Sequence, residues 1–269
     1  MTLRVESVGD AAVLTLDRPA KHNAIDGGLA RALVDAIRAA SADPAVRGIV
    51  ITGAGERTFT SGGDLNMLAE LIGSTNEAAE GSPVLAMGEE LAACERAEVP
   101  VIAAVQGDAY GGGCELLLLC DLVIVESHAQ LAFRHAKMGL SPAWGGLTRL
   151  VERVGPIEAA RLLFTAEKID AAEALRIGLV NEVVPKGAAR ARAIARVARI
   201  ADNPRPTVAA LKRGLREVRE ARRGAATERE RAIFVERWGG PDHQQAMSAF
   251  LAKGGAGSSS GNPVKRPPG

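Results

Sequence analysis

The segment YGGGCELLLLCD, residues 110–121, sets Gly111, Gly112 and Gly113 beside a carboxylate, Glu115, and follows them with four leucines. Glycine loses conformational entropy in regular structure and a carboxylate loses hydration in an apolar setting, so the combination points to local chemistry that needs both. A second glycine pair, Gly62 and Gly63 in FTSGGDL (59–65), also stands after a strand-like run and before a helix-like one, DLNMLAELI. Bare backbone at a helix start lets an N–H come close to a ligand. Two such loops can each aim one N–H at the same oxygen, an arrangement in which each donor lowers a barrier by about 2.7–4 kcal/mol. The same glycines also fit a plainer arrangement, two helix N-terminal turns with no ligand. Glu115 divides in the same way. At a helix start it serves as a cap or ion-paired residue favoured by the macrodipole; desolvated beside two donors, it serves as a general acid or base.

Loops of this kind need strands before them and helices behind. AAVLTLDRP (11–19), VRGIVITG (46–53), PVIAAVQG (100–107) and DLVIV (121–125) read as strands, and 26–41 as a helix with Leu29, Leu33, Ile37 and Ala40 on one face. Strands apolar on consecutive residues are buried on both faces, as in parallel sheets covered by helices, so the fold class is α/β. Beyond about residue 190 the pattern is helical. We divide the chain into a core (1–190), a helical C-terminal region (191–253) and a Gly/Ser/Pro-rich tail (254–269) expected to be disordered.

Composition excludes several classes. Apolar residues make up 47% and charged residues 24%, with a net charge of +1, which gives no electrostatic reason for a nucleic-acid or membrane partner. The arginine-rich stretch from Arg190 to Arg231 is interleaved with Glu217, Glu220, Glu228 and Glu230, so it reads as a solvated helix face. Cys94, Cys114 and Cys120 have neither disulfide nor metal spacing, and no metal site is expected. The charged N-terminus lacks a signal-peptide pattern and no apolar run reaches membrane length, so the expected location is the cytoplasm. GAGERT (53–58) begins like a dinucleotide loop but lacks the third glycine and the following helix.

GDAYGGGCELLLLCDLVIV, together with FTSGGDL, RPAKHNAI, GLSPAWGGLTRL, AEALRIGLVNEVVP and QQAMSAFLAK, resembles the crotonase (enoyl-CoA hydratase/isomerase) superfamily over residues 3 to about 253. The resemblance implies a spiral of ββα turns, a helical C-terminal region used for trimerisation, and a trimer or dimer of trimers. It implies an acyl-CoA substrate, coenzyme A being part of that substrate rather than a cofactor. The thioester oxygen is then held by the N–H groups of Gly63 and Gly112, flanked by Gly62 and Gly111. CoA contacts fall to Lys21, Asn23, Ala24 and the run Ser61, Gly62, Gly63, Asp64 and Leu65, with Phe250 and Lys253 reaching the nucleotide end.

Hydratases of this family pair two glutamates. The first matches Glu115; ungapped alignment from there puts His135 at the second. A lone loop histidine also has a structural reading, but here it stands at a catalytic position. The replacement, with Trp144 and Trp238 in FRHAKMGLSPAWGG and RWGGP, looks closer to the ethylmalonyl/methylmalonyl-CoA decarboxylase branch. Decarboxylation needs enolate stabilisation and one proton donor, whereas hydration needs one group to activate water and another to deliver a proton. The leading expectation is therefore an alkylmalonyl-CoA decarboxylase, with enoyl-CoA hydration by Glu115 and His135 as the alternative. A non-catalytic acyl-CoA-binding subunit and action on a carrier-protein thioester are further alternatives. Trp144 either walls the acyl pocket or anchors its loop, Tyr110 points into the pocket or the core, and Asp64 and Asp121 cap and orient loops.

Overall fold

Successive strands of the chain step between two sheets. The structure, a computed structural model, describes residues 2–72 and 82–252. It begins with β1 (Leu3–Val8), β2 (Ala11–Leu16), α1 (Gly27–Ala42), β3 (Gly48–Gly53), β4 (Thr58–Thr60) and α2 (Leu65–Ile72). Next come α3 (Ser82–Leu91), α4 (Ala93–Arg96), β5 (Val101–Val105), β6 (Asp108–Tyr110), α5 (Gly112–Leu119), β7 (Leu122–Glu126) and β8 (Gln130–Ala132). A 3-10 turn at His135–Met138 leads to α6 (Gly146–Thr165), β9 (Ile169–Asp170), α7 (Ala171–Arg176) and β10 (Glu182–Val184). The chain closes with α8 (Ala189–Ala201), α9 (Arg205–Arg223), α10 (Ala225–Arg237) and α11 (Pro241–Ala252).

The larger sheet has the order β1-β2-β3-β5-β7-β10 and the smaller β4-β6-β8-β9. Each turn places its first strand in the larger sheet and its second in the smaller, then a helix: β3 and β4, β5 and β6, β7 and β8. This is the ββα spiral. The parallel pairing expected from the apolar runs holds from β2 to β10, while the β1–β2 and β8–β9 pairs are antiparallel.

The doubly buried strands have the physical cause expected of them. Val13, Val50, Ile102 and Ile124 pack on Ala189, Ala193 and Val197 of α8. Their neighbours Leu14, Ile49, Ile51 and Val123 belong to the main core with α1, α5 and α6, as the period-2 alternation of a strand requires. Helix α1 is capped by Asp26, whose carboxylate accepts from Leu29 N at 2.8 Å, and buries Leu29, Leu33, Ile37 and Ala40.

The C-terminal helices correct one expectation. Arg223 and Glu230 lie within the stretch read as a solvated face, yet both are buried, as is Lys212. Lys212 and Arg223 are tolerated because they are paired, and Glu230 because its oxygens accept hydrogen bonds. Lys212 Nζ donates to Cys94 O and Val99 O and pairs with Asp121 at 2.7 Å, while Arg223 pairs with Glu95 and Glu152. Asp121 also accepts from Val101 N at 2.7 Å, the orienting role expected of it. Among the described residues no helix is long and apolar enough to cross a membrane. Lys253 and the tail at 254–269 lie outside the described residues.

Candidate active site

Two chain segments bring the glycine loops together. Ile25 forms a parallel bridge with Gly63: Ile25 N donates to Gly62 O at 2.8 Å and Asp64 N donates to Ile25 O at 2.9 Å. In such a bridge the flanking residues make the bonds, so the N–H of Gly63 itself turns away from Ile25. Gly112 is the first residue of α5, where N–H groups have no intrahelical acceptor. Among the described residues neither amide has an acceptor in the protein. Both glycines line one cavity of about 1490 Å³. The loops touch: a Cβ on Gly62, whose φ is +91°, would fall 2.6 Å from Gly112 N.

Glu115 sits one turn into α5 and is 2% exposed. Its Oε2 accepts from Trp144 N at 2.7 Å and from Gly146 N at 2.9 Å. Its Oε1 accepts from Ala143 N at 3.4 Å and faces His135 Nε2 at 2.9 Å. A Cβ on Gly146 would lie 2.6 Å from Oε2, so only glycine lets the backbone come this close. A contact this short is a hydrogen bond that holds one proton between His135 Nε2 and the Glu115 carboxyl. Among the described residues the buried Nδ1 of His135 has no partner. Glu115 and His135 both line the cavity.

The turn that supplies these amides is braced from behind. Arg149 donates to Trp144 O at 3.4 Å and Gly145 O at 3.2 Å, and pairs with the buried Glu95. Burial pushes the Glu95 carboxyl up, but hydrogen bonds from Arg149 and Arg223 outweigh it and bring it down to about 2. Glu230 of α10 reaches the first turn of α6 and accepts from Leu147 N at 2.8 Å, Thr148 N at 3.0 Å and Thr148 Oγ1 at 2.8 Å.

The cavity has two chemically distinct ends. One is apolar, walled by Leu68, Val84, Phe234, Trp238 and Met247, which form a separate hydrophobic cluster. The other is edged by Lys21, Arg57, Arg134, Lys168 and Lys186 together with Glu56, Asp64 and Asp108, and Lys186 pairs with Glu56 at 2.8 Å. Tyr110 stands on this wall, its ring 6.0 Å from the Arg134 guanidinium and 5.2 Å from the Lys168 ammonium, and its hydroxyl donates to Asp108 at 2.6 Å.

Of the residues singled out from sequence, the cavity brings together Lys21, Ala24, Ser61, Gly63, Asp64, Leu65, Tyr110, Gly111, Gly112, Glu115, His135, Trp144, Trp238 and Phe250. Asn23 and Gly62 stand behind that wall. Asn23 is fully buried and donates to Ala54 O at 3.0 Å and Thr58 O at 2.8 Å, so its side chain braces the loop. Asp64 pairs with Arg18 at 2.9 Å and accepts from Asn66 N, orienting its own loop. Phe234, Met247 and Glu230 were not foreseen. In sequence they are ordinary helix residues, and only the fold carries them to the site. Among the described residues no cluster of three or more His, Cys, Asp or Glu is arranged to hold a metal ion.

The enoyl-CoA hydratase/isomerase family model matches residues 6–257. The chain belongs to this crotonase family. The crotonase is 37% identical over 253 residues to crotonyl-CoA hydratase of Syntrophomonas wolfei, covering 90% of this chain and 92% of that protein. It is 33% identical over 240 residues to ethylmalonyl-CoA decarboxylase of Bos taurus, covering 88% and 77%. Its fold superposes on an enoyl-CoA hydratase/isomerase from Xanthobacter autotrophicus Py2 with a TM-score of 0.87 and 28% identity, covering 94% of each chain.

Proposed function

We propose that this crotonase is a lyase acting on a short-chain acyl-CoA through a thioester enolate. In this reading the Gly63 and Gly112 N–H groups receive the enolate oxygen, and Glu115 with His135 handles the proton. The observation that carries it is the pair of touching glycine loops, with two acceptor-free amides on the same cavity as a bonded Glu–His pair. Preorganised donors of this kind stabilise charge as it develops and need no rearrangement to do so. The apolar end of the cavity suits the acyl group, and the basic edge suits the phosphates of coenzyme A.

Two reactions fit an enolate. In decarboxylation the bond from the α-carbon to the carboxylate breaks, its electron pair passes to the thioester oxygen, CO2 leaves, and one proton is added at the α-carbon. The 2.9 Å contact between Glu115 and His135 favours this reading: no water fits between them, and they form one proton carrier. In hydration, water adds at the β-carbon and a proton at the α-carbon. The names of most similar proteins, crotonyl-CoA hydratase and short-chain-enoyl-CoA hydratase among them, favour that reading equally.

Incubation of the pure protein with ethylmalonyl-CoA and with crotonyl-CoA, beside Glu115→Gln, separates the two. CO2 release without hydration supports decarboxylation, and the reverse pattern supports hydration. Turnover of neither, with tight binding of both, leaves an acyl-CoA binder and removes the enolate reading.

Self-association is part of the proposal. Leu211, Leu215 and Val218 of α9 are 64%, 67% and 54% exposed and share one face at i, i+4 and i+7. Such a stripe is costly in water and suits contact with further copies of the chain, as a trimer or a dimer of trimers.

A further inference from the structure

The first turn of α6 is shared between two buried carboxylates. Gly146 N, with Trp144 N just before the helix, goes to Glu115. Leu147 N and Thr148 N, with the Thr148 hydroxyl, go to Glu230. One helix start, rich in unpaired N–H groups and carrying a positive partial charge, therefore anchors both the proton-handling glutamate and a glutamate from the C-terminal region. Glu230 is 3% exposed and both its oxygens accept from backbone N–H groups, a pattern that holds the α6 start in one position. Burial first, with the nearby Glu115 charge among lesser causes, pushes the Glu230 carboxyl up.

We propose that Glu230 is a positioning residue for the Glu115–His135 pair. It fixes the α6 start so that the Trp144 and Gly146 amides stay aimed at Glu115. The role rests on the proton-handling function proposed above for Glu115 and His135. It assigns to the C-terminal region an effect on the chemistry in addition to walling the cavity.

The other described ionisable groups around the pair do not accept from Leu147 N or Thr148 N. Arg134 and Lys137 lie on the histidine's own segment and are cations. Arg149 of α6 and Arg219 and Arg223 of α9 pair behind the turn with Glu95 of α4 and Glu152 of α6. Helix α11, which packs on the 3-10 turn, brings Asp242 and His243, and burial holds His243 below its ordinary range. Cys114, next to Glu115, is kept a neutral thiol by burial. Among these groups Glu230 is the buried anion bonded to the same helix start as Glu115.

The test compares wild type with Glu230→Gln and Glu230→Asp by the NMR signals of the Trp144 and Gly146 amides, and by kcat and KM on whichever acyl-CoA is turned over. Glu230→Gln keeps the shape but puts an amide NH2 where one accepting oxygen stood. It is expected to move both amide signals and to lower kcat about tenfold, with KM changed less than about twofold. Glu230→Asp keeps two accepting oxygens but draws back from Leu147 and Thr148; kcat falls by less than in Glu230→Gln. If Glu230→Gln folds and leaves the two amide signals and kcat in place, the proposal is overturned. If it does not fold, Glu230→Asp decides, and unchanged kcat overturns it. If wild type turns over neither substrate, the proposed function fails, while the amide signals still test the positioning by themselves.

Discussion

The six-membered ring of Trp144 occupies the space that a side chain on Gly112 would need: a Cβ there would lie 2.6 Å from Cζ3, 2.9 Å from Cη2 and 3.0 Å from Cε3. Trp144 also gives its backbone N–H to Glu115, so the same residue sets the spacing of one glycine loop and holds the carboxylate. Gly112→Ala must push the indole or the loop aside. The expected outcome is a loss in kcat of about 10²-fold or more, from a displaced amide donor. Overpacking should also destabilise the fold by about 1–3 kcal/mol, read from denaturant unfolding. Full activity in the alanine variant would remove Gly112 from the reaction.

His135→Gln keeps an N–H able to reach Glu115 but cannot carry a proton. Turnover is expected to fall by about 10²–10⁴-fold, the usual worth of a general acid–base group, with the melting temperature close to that of wild type. Steady-state kinetics beside calorimetry checks this. Activity retained within tenfold would reduce the histidine to a prop for Glu115.

Glu95 makes a prediction about acid. Its folded-state carboxyl is depressed to about 2 from 4.5, so it stabilises the fold above the unfolded value and loses that contribution as pH falls through the folded one. The contribution at neutral pH is about 3 kcal/mol. Glu95→Gln should therefore be clearly less stable than wild type at pH 7, and the gap should narrow as pH is lowered from about 4.5 towards 2. Urea unfolding of both proteins across that range measures it. A constant gap would mean that the arginines, not the ionised carboxylate, set the stability of the turn behind the site.

Replacing Leu211 and Leu215 with Glu puts charge on the exposed stripe of α9 without touching the core. The variant is expected to elute as a monomer in light-scattering chromatography where wild type elutes as an oligomer. A monomeric wild type would leave the stripe without the assigned partner.

What could be read from sequence follows the range of the signal. Strands β2, β3, β5 and β7 are legible because apolar residues run on consecutive positions, which follows from α8 on one face and the main core on the other. The glycine loops and Glu115 were legible because their residue types are costly anywhere else. Strand β1 was not, since its four central residues are exposed and carry no core pattern. Strands β4, β6 and β8 are three residues each, too short to show a period. Glu230 reads as a surface charge because a helix rich in Arg and Glu looks the same whether its carboxylate faces water or the N–H groups of a distant turn. The resemblance puts Asn23 with its loop neighbours against the ligand; burial turns its amide inward, where two carbonyls take its protons.

The apolar end of the cavity is closed by Phe234, Trp238 and Met247, near the end of the chain, whereas both glycine loops and Glu115 are complete by residue 115. During synthesis the two glycine loops and Glu115 are therefore made first, and the cavity stays open on one side until the last two helices leave the ribosome and fold back. A growing chain has both loops long before it has an enclosed apolar chamber.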